Sequence, residues 1–192
     1  SKDGQKVIGS KENISCDSLG ISGGWTPAVH LFTQSGGKLK FRDDDQVFIP
    51  NTYPSNQISI GSCNGDFTLD EILINTPKLL KEFLNIKKTE YENIEIYSAF
   101  NKSKRNIWLL PSNKIVGKTK SFVDFQNDAT AKDIKLALRE GFRSIEHVKR
   151  YTTTGMGTDQ GKLGNMHALG IISETASSKM GELGTTTFRP PY

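Results

Sequence analysis

A chain of 192 residues with 35% hydrophobic and 24% charged residues has the size and composition of one large globular domain or parts of two. Its formal charge of +4 comes from dispersed basic residues, and local runs such as Lys102-Ser103-Lys104-Arg105 read as solvated loops, so no nucleic-acid partner is expected. No apolar run approaches the roughly 20 residues of a bilayer span, and no basic start with an apolar centre marks a signal peptide; no membrane partner is expected, and the location expected is cytoplasmic. Cys16 and Cys63 stand apart without a CxxC or a histidine at ligand spacing, which predicts two free thiols and no metal site. The first residue is Ser1 and the last segment is Arg189-Pro190-Pro191-Tyr192, so both ends read as cut from something longer.

In chain order, Val7-Ile8, Ile14 to Asp17 and Leu19 to Ile21 predict short strands. Trp25-Thr26-Pro27 breaks the pattern, and Ala28 to Phe32 predicts a short helical turn. Val47 to Pro50 reads as a strand stopped by its proline, and Asn56 to Ile60 as another strand. A helix is predicted from Thr68, which with Glu71 forms a capping box ahead of Leu69, Ile72 and Leu73. The polar stretch 76–106, with an edge strand or tether around Glu90 to Glu95, is the expected domain boundary. Ile107 to Pro111 predicts one more strand.

Thr130 and Asp133 then open a helix whose buried side is Ile134, Leu136, Ala137 and Leu138, ended by Gly141. Ser144 is expected to cap a second helix carrying Ile145, Val148 and Tyr151. A third helix is predicted from Asp159 to Ile172, and Gly181 to Tyr192 as an extended exit.

Two segments could carry chemistry. The turn Gly61-Ser62-Cys63-Asn64-Gly65 joins a strand to a helix, where glycines permit close backbone approach and the helix N-terminus favours an anion. A purely structural turn is the more common outcome for such a pattern, and no GxGxxG occurs in the chain. The loop Lys149 to Lys162 gathers hydroxyls, glycines and cations that could hold a phosphate or a flavin edge, or could simply cap helix ends. His147 beside Glu146 is not a dyad, because neighbouring helical residues diverge by ~100°.

Ser22 to Leu31, Phe122 to Asp133, Glu146 to Lys162 and Gly184 to Tyr192 resemble, in order, segments of the alpha subunits of heterotetrameric sarcosine oxidases. The resemblance implies a fold of class α/β plus α. Residues 1–85 would be the C-terminal part of a thioredoxin-reductase-like FAD/NAD(P)-binding domain, 86–120 a connecting segment, and 121–178 a small helical domain. Residues 179–192 would begin an aminomethyltransferase-like, folate-binding domain. It implies NAD contacts at Ser62, Phe67 and Leu69 around the permissive Gly61 and Gly65, with Asp66 accepting from a ribose hydroxyl. The helical domain resembles a bacterioferritin-associated-ferredoxin-type module, whose [2Fe-2S] ligand positions here are Asp124, Gln126, Asp159 and Gly164; without thiolates, no cluster is expected.

The family carries FMN between its alpha and beta subunits, and Lys149, Arg150, Thr153, Thr154, Gln160 and Lys162 are the candidates to face it. Expected partners are the beta, gamma and delta subunits and the substrate sarcosine, with tetrahydrofolate bound beyond this segment. The implied activity is oxidative demethylation of sarcosine to glycine with formation of H2O2, with no catalytic acid or base in this stretch, which is not expected to be active alone. The alternatives are a related flavin-dependent amine or imino-acid dehydrogenase and a non-catalytic docking module.

Overall fold

The computed structural model describes residues 1, 6–20, 24–87, 106–112 and 120–190. The expected edge strand at Glu90 to Glu95 and the basic run Lys102 to Arg105 lie outside them. The chain divides into two compact units, Ser1–Trp25 with Arg105–Thr186, and Thr26–Lys104 with Thr187–Tyr192.

In the second of these units, a short helix α1 (His30–Gln34) precedes an antiparallel hairpin of β1 (Lys38–Arg42) and β2 (Val47–Thr52). The hairpin closes through Asp43 to Gln46, with Gln46 in the left-handed region at φ 55° and Asp45 paired with Arg42. Val47, Phe48 and Ile49 are buried with Val29 and Phe32, and Phe41 meets Phe48 edge-on at 5.1 Å. Burial of each such side chain contributes roughly 1.5–3 kcal/mol. Phe188 closes this core, edge-on to His30 at 5.4 Å, with its carbonyl accepting from Gln34 Nε2 at 2.6 Å.

Pro50 does not stop β2. It sits opposite Leu39 beside a register irregularity between Lys38 and Leu39. A two-stranded sheet consists of edges, where a missing N–H is tolerated. The run Asn56 to Ile60 joins no ladder, contrary to the strand expected there: Asn56 is a left-handed turn residue at φ 60° and only Ile60 is seen to be extended, at φ −132° and ψ 160°.

A 3-10 turn (Gly61–Asn64) then leads into α2 (Leu69–Phe83). The capping box forms as read: Thr68 Oγ1 accepts from the Glu71 amide, and Glu71 Oε2 accepts from the Thr68 amide at 3.1 Å. The helix runs well into the stretch assigned to a polar connection, and none of its residues is buried.

The other unit is helical. A two-strand bridge, β3 (Phe122–Asp124) with β4 (Ala129–Thr130), feeds α3 (Ala131–Arg139), followed by α4 (Ile145–Thr152), α5 (Gly164–Ala176) and α6 (Met180–Leu183). Ile134 and Ala137 on α3, Val148 on α4, and Leu169, Ile171 and Ile172 on α5 are almost wholly enclosed. Asp133 closes the box at Thr130, accepting from that amide at 2.8 Å. Gly141 follows with φ 98°, a left-handed residue past the end of α3.

Several expectations fail here for identifiable reasons. Residues 6–20 form no strand, and Val7, Ile8, Ile14 and Leu19 are exposed; short β-branched runs need a partner to become strands. Ser144 precedes α4 without a side-chain cap bond, and Tyr151 is 47% exposed, its ring against Phe142 rather than in the core. α5 starts at Gly164, not Asp159, because Gln160 (φ 50°) and Gly161 (φ 80°) are left-handed and cannot belong to a right-handed helix. Met180–Leu183 is a helical turn inside the supposed extended exit.

Ile107 to Leu110 is also not a strand. Instead Trp108 lies against α5, edge-on to His167 at 5.9 Å. A Cβ on Gly170 would overlap the Trp108 indole carbons, so this glycine exists for space. Gly170→Ala is therefore expected to destabilise the helical unit by ~1–3 kcal/mol through overpacking. A helix-interior Gly→Ala elsewhere gains up to ~1 kcal/mol. Urea unfolding of the single variants and of the Gly170→Ala/Trp108→Ala double variant checks this, with the loss expected to shrink once the indole is gone.

Candidate functional site

The glycine-bounded turn is built as a backbone cradle. Gly61 (φ 62°) and Gly65 (φ 87°) are left-handed. A Cβ at Gly65 would meet Ile49 Cγ2 at 2.8 Å and Arg42 Nη2 at 2.9 Å. The Gly65 carbonyl accepts from Arg42 Nη2 at 2.6 Å, which ties the turn to the hairpin. Asp66 is buried; its Oδ1 accepts from Asn75 Nδ2 at 3.0 Å, while its Oδ2 is enclosed without a hydrogen-bond partner among the described residues. Ser62 and Leu69 are exposed and Phe67 half-buried. The Phe67 amide donates to Glu71 Oε2 at 3.0 Å, as does that of Thr68. The carboxylate of Glu71 thus already occupies part of the helix N-terminus, which the turn-plus-helix pattern suggested would be open to an anion.

A cleft of about 540 Å³ opens beside this turn, with Lys40, Arg42, Tyr53, Ile58, Asp66 and Phe83 among its lining residues. Tyr53 Oη donates to Asn64 Oδ1 at 2.9 Å. Burial pushes the Tyr53 phenol above its ordinary value, with the nearby Asp66 charge adding to the effect against opposing hydrogen bonds with Ser59.

The second segment is a loop held from within. Asp124, at the end of β3, accepts from the amides of Gln126 (2.9 Å), Asn127 (3.0 Å) and, thirty-one residues on, Gly155 (2.7 Å). Gln126 clamps Thr158, accepting from its amide at 2.6 Å and donating to its hydroxyl at 2.8 Å. Asp159 accepts from the amides of Gly161 and Leu163. The side chain of buried Asn165 fills the space a Cβ would need at both Gly155 and Gly161. Gly164 lies so close to β3 that a Cβ would be 2.9 Å from the Val123 carbonyl oxygen. Asp124, Gln126, Asp159 and Gly164 therefore serve as a hydrogen-bonded and close-packed anchor. Among the described residues no group of three His, Cys, Asp or Glu is placed to hold a metal ion.

The candidate side chains of this loop divide into two sets. Thr154 faces inward, 2% exposed, its hydroxyl 2.8 Å from that of buried Thr152. Thr153 is exposed and left-handed at φ 58°, with its hydroxyl donating to the Thr152 carbonyl. Gln160 Nε2 donates to the Gly157 carbonyl at 2.8 Å. Arg150 and Lys162 are exposed and Lys149 half-buried. The anchoring roles of Asp124, Gln126 and Asn165 were not expected from sequence; for Asp124 and Gln126 the signal was a polar residue where the resemblance expected a thiolate, and for Asn165 there was none.

Residues 118–192 match the Sarcosine oxidase A3 domain family. The sarcosine oxidase subunit alpha of Rhizobium meliloti (strain 1021) is 36% identical over 189 residues, 96% of this chain and 19% of that subunit. Those of Corynebacterium sp. strains U-96 and P-1 are 33% and 32% identical, covering 99% and 97% of this chain and 20% of each subunit. Over nearly its whole length the chain is similar to sarcosine oxidase alpha subunits. It spans about a fifth of the length of these relatives. A crystal structure of L-proline dehydrogenase from P. horikoshii shares the fold with a TM-score of 0.51 at 22% identity, over 88% of this chain and 36% of that one. No helix among the described residues is long and apolar enough to cross a membrane.

Burial raises the cost of the Asp124 charge, but the amides of Asn127 and Gly155, the Asn127 side chain and the Gln126 amide outweigh it and hold the carboxyl below its ordinary value. A carboxylate so depressed stabilises the fold fully above its unfolded value near ~3.9, and that stability is lost as pH falls through the lower folded value. Asp124→Asn is expected to cost the helical unit ~1.5–3 kcal/mol at pH 7. Its deficit against the parent should narrow below about pH 4, as read by thermal melts across pH 2.5–7.

Proposed function

We propose that this chain forms the section of a sarcosine-oxidase-type alpha subunit that holds part of a dinucleotide site and presents a flavin-facing loop to a neighbouring subunit. The observation that carries this reading is the match to three alpha subunits over 96% or more of the chain, spanning both candidate segments. On this reading residues 61–69 belong to a thioredoxin-reductase-like dinucleotide domain and residues 121–178 to a ferredoxin-associated-type helical module that works without a [2Fe-2S] cluster.

The residues fit an NAD molecule. Gly61 and Gly65 offer backbone without side chains, Ser62 an exposed small side chain, Phe67 and Leu69 an apolar flank, and Asp66 Oδ2, which has no partner among the described residues, an acceptor for a ribose hydroxyl. The loop fits an anionic, hydrogen-bonding flavin such as FMN through Lys149, Arg150, Thr153, Gln160 and Lys162; Thr154 supports the loop from inside. FMN, when bound, supplies the two-electron oxidation of the amine. The whole enzyme, with its beta, gamma and delta subunits, would demethylate sarcosine to glycine and reduce O2 to H2O2, passing the carbon to tetrahydrofolate. The contribution of this chain is to bind and orient; none of its side chains is assigned a proton transfer.

The decisive assay uses the Rhizobium meliloti alpha subunit with its matching segment replaced by this chain, assembled with the other subunits. Lys162→Ala and Gln160→Ala are each expected to lower bound FMN several-fold, measured by flavin absorbance after gel filtration. Full retention in both variants would remove the loop from the flavin site. Oxygen consumption with sarcosine but not with L-proline separates the oxidase reading from a dehydrogenase acting on a cyclic imino acid.

A further inference from the structure

Between the anchors of the loop that joins α4 to α5 stands Met156, 52% exposed. The backbone on either side of it is pressed inward. A Cβ on Gly155 would overlap the Asn165 carboxamide, and one on Gly157 would overlap that of Gln126. The Gly155 amide donates to Asp124 at 2.7 Å and the Thr158 amide to Gln126 at 2.6 Å. The Met156 amide closes a turn by donating to the Thr153 carbonyl at 3.2 Å. With glycine on both flanks, the thioether is what this crest displays. The segment from Thr152 to Lys162 contains no other hydrophobic residue.

The chain has three methionines, and the fold treats them unequally. Met166 on α5 is 8% exposed and Met180 on α6 is 5% exposed, so both are buried in the helical unit. An oxidant reaches these two only when the fold opens locally, whereas it meets Met156 at the surface with every anchor of the loop intact.

We infer that Met156 is a site of modification by hydrogen peroxide, the methionine of this chain that takes up an oxygen atom first. The inference rests on the proposed function in one respect: there the peroxide is the enzyme's own product, released at the flavin this loop faces. In the step, the thioether sulfur attacks one peroxide oxygen and the O–O bond breaks as an S=O bond forms. The sulfur loses two electrons, and the departing oxygen takes the proton of the transferred one and leaves as water. Peroxide is the sole co-reactant. The product is a polar side chain with a strong acceptor where the loop displayed an apolar one, and it is reversible by methionine sulfoxide reductases. It falls in the same loop as Thr153 and Gln160, so turnover is expected to erode its own rate.

Peptide mass spectrometry reads the oxygen gained at each methionine. With dilute hydrogen peroxide added to this chain, Met156 is expected to oxidise at least about tenfold faster than Met166 and Met180. Dithiothreitol afterwards reduces oxidised thiols at the exposed Cys16 and Cys63 and leaves sulfoxides in place. Equal rates at the three sulfurs, or a slower Met156, would overturn the inference. A second arm uses the Rhizobium meliloti assembly carrying this chain, turning over sarcosine. Met156 sulfoxide should accumulate with the peroxide produced while the rate decays. Met156→Leu, apolar but without sulfur, should slow that decay several-fold, each protein being normalised to its own starting rate. Methionine sulfoxide reductases should restore the parent and not the variant. Peroxide production with Met156 unmodified would overturn the inference, as would equal decay in parent and variant. An assembly that takes up no oxygen sinks the oxidase reading instead, and the added-peroxide arm then decides alone whether Met156 is the reactive sulfur.

Discussion

The 2.7 Å hydrogen bond from the Gly155 amide to Asp124 joins the first strand of the helical unit to a loop thirty-one residues later. A carboxylate is a multivalent acceptor, and at this site it also gathers the amides of Gln126 and Asn127. The bonds fix the entry into α3 and the exit from α4 with one charge. Around it, Gln126 grips Thr158, and Asn165 fits against Gly155 and Gly161 where no side chain could stand. The outward order of Arg150, Thr153 and Lys162 follows from this inner set. Any chemistry the loop performs is therefore positioned by residues that never reach its surface.

The turn at Gly61 to Gly65 has a different construction. It is anchored by an arginine from the hairpin and by a helix capped through its own glutamate. Glu71 takes the amides of Phe67 and Thr68 and so neutralises part of the positive end of α2. What the turn leaves without a hydrogen-bond partner among the described residues is the Oδ2 oxygen of Asp66. That arrangement suits neutral hydroxyl donors better than a second negative charge beside Glu71.

The features visible from sequence were those set within a few residues. Thr68 with Glu71, and Thr130 with Asp133, announce helix starts because the donors and acceptors lie three positions apart; Gly141 announces an end in the same way. β2 was expected at Val47 to Pro50, but β1 and the hairpin escaped because the alternation of Lys38 to Arg42 carries only two apolar residues, Leu39 and Phe41, and the closure depends on Gln46 adopting a left-handed backbone. The overcalled strands at Val7, Ile14 and Ile107 had suitable residues but no neighbour, a condition that sequence cannot supply. The inward turn of Thr154 was equally hidden, since a hydroxyl's direction is fixed by tertiary packing. The roles of Asp124 and Gln126 were half legible: their positions stood out, but as lost ligands rather than as anchors.

The seating of Trp108 over Gly170 also has a spectroscopic meaning. The chain has two tryptophans, Trp25 and Trp108, and both belong to the helical unit. Trp25 is largely in water, whereas Trp108 is wedged beside His167. Changes in indole emission on denaturation therefore follow Trp108 and melt out one half of the chain only. The half with the hairpin and α2 has no indole, and its unfolding must be followed through Tyr53 and the phenylalanines or by far-ultraviolet dichroism. Two transitions that diverge between these probes would be the signature of units with separate stabilities.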